Sequence, residues 1–293
     1  MDRVKKIIHY WCKDTRENRV RGRGSVVAVL DTGLSPHPDF GGRVAGFQDM
    51  TRGRKEMYDD SGHGTHVTGI LLGAGRMSKG ILSGIAPEAE VAVVKVLDQN
   101  GEGDVETILA GIWWVLENRK RLGIRIVNLS VGAKMGLDPG KEKEFLRAVE
   151  EMWNAGLVVV VSAGNQGPGE GTVAVPGTSR KVITVGALKT DARIQDCSGQ
   201  GPTGECVVKP DLLAPGYRIL SCNSRFGRRY GYYTVKSGTS MAAPVVSGAV
   251  ALYLSKYPEA QNAEVKLRMI QTCRRLEEKG TGKRCLDVEA FLR

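Results

Sequence analysis

One segment of the chain is built to present a hydroxyl at the mouth of a helix: Ser237-Gly238-Thr239-Ser240-Met241-Ala242-Ala243-Pro244. Gly238 permits a tight turn, and the small residues after Ser240 let a helix start in a crowded interior. Pro244 suits a first turn, where its missing N–H is not needed. The unpaired N–H groups of such a helix start can stabilise an oxyanion. A serine hydroxyl is a weak nucleophile at neutral pH, so it needs a base, and the base needs a partner that fixes its tautomer. Among the four histidines, His9 lies in a basic stretch and His37 in the turn Ser35-Pro36-His37-Pro38. His63 and His66 sit in Asp59-Asp60-Ser61-Gly62-His63-Gly64-Thr65-His66-Val67, which opens a helix running to about Leu72. His63 stands at the entrance, where its ring can face a cleft, and is the better base; His66 lies one turn in and is expected to hydrogen-bond internally. The partner should be a carboxylate at a strand end. The apolar run Val26-Val27-Ala28-Val29-Leu30 leads directly into Asp31-Thr32-Gly33, which assigns that role to Asp31.

The resulting order Asp31, His63, Ser240 is that of subtilisin. Asp31-Thr32-Gly33, His63-Gly64-Thr65-His66 and the Ser240 octapeptide resemble the three signature segments of the subtilisin-like serine proteases, or subtilases. Between them, Ser162-Ala163-Gly164-Asn165 resembles the segment that carries the family's oxyanion-hole asparagine, and Asn128-Leu129-Ser130-Val131-Gly132 its substrate-pairing strand. The likeness runs from about Gly24 to the C-terminal helix. It implies a serine endopeptidase acting on polypeptide substrates, with Asp31, His63, Ser240 and Asn165 as its catalytic residues and no cofactor.

Rival readings of the same residues fail on spacing. Asp60-Ser61-Gly62 could pose as the second Asp-Thr-Gly of an aspartic protease, but 29 residues separate Asp31 from Asp60, too few for two lobes. His63 and His66 lack the Glu and the i, i+4 spacing of a zinc helix, so no metal is expected on them. Gly164, Gly167, Gly169 and Gly171 follow an apolar strand as a nucleotide loop would, but Gly171 to Gly177 reads as extended chain rather than the start of a helix.

The elements that must position these groups follow from apolar patterning. Short β-branched runs at Val26 to Leu30, Val91 to Leu97, Ile124 to Leu129 and Leu157 to Val161 read as strands buried on both faces. They alternate with helical spacing at Val105, Ile108, Leu109, Ile112 and Leu116, and at Phe145, Leu146, Val149 and Met152, while Ala249 to Leu254 prolongs the serine helix. The pattern predicts an α/β protein with a three-layer α/β/α, subtilisin-like fold around a mainly parallel sheet, with function at the carboxyl ends of strands. No linker or repeat divides the 293 residues, so one catalytic domain is expected over 1–293. The 38 glycines, about twice the usual share, suit loops that bring backbone close to substrate.

The resemblance further implies that substrate binds extended between Ser130-Val131-Gly132 and Gly101-Glu102-Gly103, by sequence-tolerant backbone pairing. Ser162-Ala163-Gly164 and, opposite, Ala174 would wall the S1 pocket, with Val175-Pro176 matching a turn that often holds a cis peptide in the family. Nothing charged lies at its base, which favours a medium or large uncharged P1 residue. Asp59, Asp60, Glu102 and Asp104 fall near the S2 and S4 walls. Either they attract a basic residue at P2 or P4, or Asp104 caps the next helix and the others are solvated. The loop Gly73 to Gly80 stands where many subtilases hold calcium, yet it supplies Arg76 and Lys79 and no carboxylate, so that site is expected to be absent, as in some intracellular-type members.

Met1 stands 30 residues before Asp31, so neither a signal peptide nor a prodomain is expected within this sequence, which reads either as a protease that naturally lacks a prodomain or as a mature form restarted at Met1; no run is long enough to span a membrane. Ile7-Ile8-His9-Tyr10 resembles the inhibitory N-terminal motif of intracellular subtilisins but reads as a packing helix. The six cysteines show no metal-type spacing, and without an export signal they are expected to be reduced thiols in a cytoplasm, a secreted mature form being the alternative. The net charge of +10 has no aromatic interleaving to make a nucleic-acid surface, and oligomeric state leaves no readable trace. A peptide ligase or cyclase using the same acyl-enzyme, and a non-catalytic binding module of the same fold, are the alternatives from other classes. The second would ordinarily show a lost triad residue.

Overall fold

The protein is described here by a computed structural model covering residues 1–131, 138–189, 196–227, 229–276 and 283–293. In chain order the helices are α1 (Asp2–Ile7), α2 (Lys13–Arg16), α3 (His63–Leu72), α4 (Val105–Leu122), α5 (Pro139–Asn154), α6 (Thr239–Lys256), α7 (Asn262–Thr272) and α8 (Val288–Leu292). The strands are β1 (Val26–Asp31), β2 (Val44–Asp49), β3 (Glu90–Lys95), β4 (Ile124–Leu129), β5 (Val158–Ser162), β6 (Ile183–Leu188), β7 (Leu212–Pro215), β8 (Ile219–Cys222), β9 (Tyr233–Lys236), β10 (Arg274–Arg275) and β11 (Arg284–Cys285).

Nine strands form one sheet in the order β10-β11-β7-β6-β5-β4-β1-β3-β2, parallel except for the edge pair β10 and β11. Alternate residues of each central strand enter two separate cores. Val27, Val29, Val91, Val93, Val158 and Val160 face α3 and α6, while Ala28, Leu30, Ala92, Val94, Val159 and Val161 face α4 and α5. Because both faces are covered, β1 is buried along its whole length, as its unbroken apolar run predicts. The result is the three-layer α/β/α arrangement with a mainly parallel sheet.

The chain leaves β1 for β3 and β2 on one side and returns to β4 on the other, so the strand order reverses at β1. Crevices at such switch points open beyond the carboxyl ends of the strands. Asp31 ends β1, Ser130 follows β4 and Ser162 ends β5, which puts all of them on that rim.

Two sequence expectations shift by a few residues. The strand expected at Val91 to Leu97 stops at Lys95, because the N–H groups of Val96 and Leu97 both turn to the Asp31 carbonyl, at 2.9 and 3.2 Å. Pro244 stands inside α6, one turn beyond the start expected for it. The helix tolerates it because the Ser240 carbonyl, deprived of its i+4 donor, accepts the Ser130 hydroxyl at 3.3 Å. The helix expected at Ile7 to Tyr10 ends with α1 at Ile7, and Val4, Ile8 and Tyr10 are buried against the main core.

Candidate active site

Asp31 and His63 are brought together by their neighbours. Gly33 has φ +116°, and a Cβ there would lie 2.2 Å from the Tyr58 carbonyl, so only glycine lets the chain leave β1 against the 58–59 segment. That segment delivers Asp59, whose carboxylate is buried and organises the entrance of α3. Its Oδ1 accepts from Thr32 Oγ1 (2.8 Å), Ser61 N (3.2 Å) and Gly62 N (2.7 Å), and its Oδ2 from Thr65 N (2.8 Å) and Thr65 Oγ1 (2.6 Å). Asp59 thereby caps the helix that begins at His63. Lys95 braces the other side. Its buried ammonium donates to the Thr32 and Leu97 carbonyls, both at 2.7 Å, and to Asp60 at 2.8 Å.

Within this frame His63 Nδ1 lies 2.7 Å from Asp31 Oδ1. Asp31 is fully buried and the His63 side chain is 25% exposed, so one end of the imidazole is held inside and the other meets solvent. Burial by itself would lower the His63 pKa, but the adjacent Asp31 carboxylate outweighs it and holds the imidazole above its ordinary value. His66, one turn on, is different. Burial pushes its pKa down to about 3, and its Nε2–H donates to the carbonyls of Ile219 and Thr234 at 3.0 and 3.1 Å, so it is a neutral packing residue, as its place in the sequence suggests.

Ser240 is the second residue of α6, and its N–H has no acceptor within the helix. Its Oγ donates to the Ser130 carbonyl at 3.3 Å. Asn165 follows β5 and the Ser162-Ala163-Gly164 turn, and its Oδ1 accepts from Thr239 N (3.0 Å) and Thr239 Oγ1 (3.2 Å). With the carbonyl end so occupied, Nδ2 is the end of the amide left to act as a donor, and it lies beside Gly238 at the entrance of α6. The Ser240 and Asn165 segments are thus stitched to each other directly.

The expected substrate walls fall on the same rim. Gly101, Glu102, Gly103 and Val131 line one cleft of about 640 Å³ together with Leu97, Ile108 and Phe145. Ser130 flanks Ser240, whereas Gly132 lies outside the described residues. Ala163 and Ala174 join directly, Ala174 N donating to the Ala163 carbonyl at 2.9 Å, and a Cβ on Gly164 would come within 2.6 Å of Ala174 Cβ. The Val175–Pro176 peptide is cis. Of the four acids near this rim, Asp59 is consumed internally, Asp60 is held by Lys95, and Asp104 caps α4 by accepting Thr107 N at 2.6 Å. The solvated-or-capping reading therefore fits Asp104, while Asp59 and Asp60 are structural.

The residues do not suit a calcium ion at the 73–80 loop. Asp39, the carboxylate nearest it, already accepts from Met77 N (3.2 Å) and Tyr233 Oη (2.8 Å), with the Cys222 thiol at 3.8 Å. The Arg76 guanidinium lies against Gly41, and no carboxylate comes from the loop itself.

Sequence reading missed Asp59, Lys95 and Asn128 as supports. Asn128, buried in β4, donates from Nδ2 to Ser130 Oγ and accepts the Ser247 hydroxyl of α6 at Oδ1, each at 2.9 Å. An amide within the buried run Ile126 to Leu129 is the available signal, since burying it unpaired would cost free energy.

Residues 22–285 match the subtilase family, Peptidase_S8, and the chain belongs to that family. It is 43% identical over 265 residues to the Bacillus subtilis (strain 168) "Serine protease AprX", covering 84% of this chain and 60% of that protein. It is 37% identical over 243 residues to the "Intracellular serine protease" of Paenibacillus polymyxa, covering 80% and 68%. The solved structure of "Sphericase" superposes with a TM-score of 0.76 at 30% identity, covering 86% of this chain and 84% of that one. The chain spans about three fifths of the length of AprX.

Proposed function

We propose that this chain is a serine endopeptidase that cleaves extended polypeptides through an acyl-enzyme. The reading is carried by the 2.7 Å contact between buried Asp31 and His63 Nδ1, which assigns the proton to Nδ1 and leaves Nε2 basic toward the cleft. Ser240 Oγ turns from the Ser130 carbonyl to His63 Nε2, gives up its proton and attacks the scissile carbonyl carbon. The Ser240 N–H and Asn165 Nδ2 take the developing oxyanion. His63 then passes its proton to the departing amine and afterwards activates water for deacylation, while Asp31 stabilises the imidazolium throughout.

Substrate lies extended between the 101–103 segment and Ser130-Val131, and its P1 side chain enters the pocket beside Ser162, Ala163, Gly164 and Ala174. No carboxylate or cation stands among those residues, so a medium or large uncharged P1 side chain is preferred. Among the described residues no helix is long and apolar enough to cross a membrane.

A fluorophosphonate probe together with mass spectrometry of a digested peptide mixture tests the reading. Labelling of Ser240 and hydrolysis after uncharged residues are expected. Ligated products, or active protein that leaves Ser240 unlabelled, would overturn it.

A further inference from the structure

The two oxyanion donors proposed above sit on different elements, Ser240 at the start of α6 and Asn165 after β5. Beyond the direct bonds from Thr239 to Asn165 Oδ1, their separation depends on any element that touches both. The turn joining β7 to β8 does so. On one side, its Gly216 carbonyl accepts Gly238 N at 2.9 Å and Arg218 N donates to Ser237 Oγ at 2.9 Å, which fixes the entrance of α6. On the other side, the Tyr217 hydroxyl of the same turn accepts Cys197 N at 3.0 Å and donates to Asp196 Oδ1 at 3.1 Å.

Cys197 in turn belongs to a segment zipped to the asparagine loop. Gly167 N donates to the Cys197 carbonyl at 3.0 Å, Gly199 N to the Gly164 carbonyl at 2.9 Å, and the Cys197 thiol approaches Asn165 Oδ1 at 3.9 Å. A Cβ on Gly167 would lie 1.8 Å from the Ser198 carbonyl, so the two segments are in backbone contact. The Tyr217 ring is buried in the main core, and its hydroxyl is the polar end that reaches this segment.

We infer that Tyr217 is a positioning residue: its turn clamps the α6 entrance while its hydroxyl pins Asp196-Cys197 against the Asn165 loop, so that Asn165 Nδ2 and the Ser240 N–H converge on one oxyanion. The inference rests on the reading of Asn165 as an oxyanion donor. Misplacing a group by a fraction of an ångström is felt in the chemical step more than in substrate binding. Tyr217 then affects catalysis only where Asn165 is present to be misplaced.

The experiment is a double-mutant cycle on the whole chain, with Tyr217→Phe, Asn165→Ala and the pair, measuring kcat and KM on a peptide amide. Phenylalanine keeps the ring in the core and removes only the hydroxyl. The expected result is a loss in kcat of about tenfold for Tyr217→Phe, with KM within about twofold, and no further loss when it is added to Asn165→Ala. Unchanged kcat for Tyr217→Phe, or the same loss in both backgrounds, overturns the inference and leaves the Asn165 reading intact. Unchanged kcat for Asn165→Ala alone overturns that reading and the inference with it. Should Tyr217→Phe fail to fold, Asp196→Ala, which removes the carboxylate that accepts the Tyr217 hydroxyl and leaves the core ring untouched, takes its place in the cycle and is scored in the same way.

Discussion

Thr32 and Asp59 share a hydrogen bond of 2.8 Å, and the same Thr32 hydroxyl accepts Gly64 N at 2.9 Å. Each partner stands beside a member of the proposed triad, Thr32 after Asp31 and Gly64 after His63. The alignment of carboxylate and imidazole is therefore imposed by the adjacent residues rather than by the pair itself.

Asp59→Ala removes the acceptor for Thr32, Ser61, Gly62 and Thr65 at once and leaves buried donors unpaired. A loss of about 3 kcal/mol or more in unfolding free energy is expected, read as a lower urea midpoint with an unchanged slope. A variant as stable as the parent would show that the α3 entrance does not depend on this carboxylate.

The His63 pKa lies above its ordinary value, and the imidazole acts as a base only when neutral. Activity should therefore fall on the acid side through a pKa higher than that of a free histidine, with kcat/KM rising as His63 loses its proton. Asp31→Asn removes the attraction that raises this pKa. The acid limb should move to lower pH while the rate drops by about 10⁴-fold. For stability the sign is opposite: a raised folded-state pKa favours the native state below the free-histidine value, and this contribution fades as pH climbs through the folded pKa.

Ser240→Ala should abolish turnover of peptide substrates. Asn165→Ala should give a folded protein that is slower by about 10² to 10³, the range known for subtilisin's own asparagine, with KM little changed. A large KM effect with an intact kcat would instead assign Asn165 to ground-state binding.

At the 73–80 loop, cationic Arg76 and an Asp39 already engaged by Tyr233 make a poor calcium site. The melting temperature should be the same in EDTA and in millimolar calcium. A fall of several degrees on chelation would show that the ion binds elsewhere in the chain.

All six cysteines are free, with Cys12, Cys222 and Cys285 buried. Thiol titration in denaturant without reductant should count six. Burial raises the Cys222 and Cys273 thiols well above their usual range, so these should react slowly in the native protein.

What could be read in the sequence was local. The strand running into Asp31, the helix opening at His63 and the small residues around Ser240 each declare themselves within about ten positions, and their order suffices for the family. Asp59 reads in the sequence either as an acid that draws a basic substrate residue or as a solvated one, because only folding turns the Ser61, Gly62 and Thr65 donors inward onto it and brings up Thr32 from 27 residues away. Lys95 closes an apolar strand and gives no hint of being buried, since the Thr32 and Leu97 carbonyls and Asp60 that satisfy it meet only in the folded chain. Pro244 stands one turn deeper in α6 than its sequence context implies for the same reason: the hydroxyl that replaces its missing donor comes from Ser130, on another element.

α6 is buried from Met241 to Leu254, and Gly248 on it leaves so little room that a Cβ would sit 2.6 Å from Ile85 Cβ. The rod that aims the Ser240 hydroxyl is therefore also the axle of the interior. A change several turns from the reactive oxygen, such as Gly248→Val, would tilt that axle and spoil the aim without touching any group in the cleft. Repacking this protein for heat resistance is best begun at α4 and α5 core positions outside the cleft lining, such as Val115 and Met152.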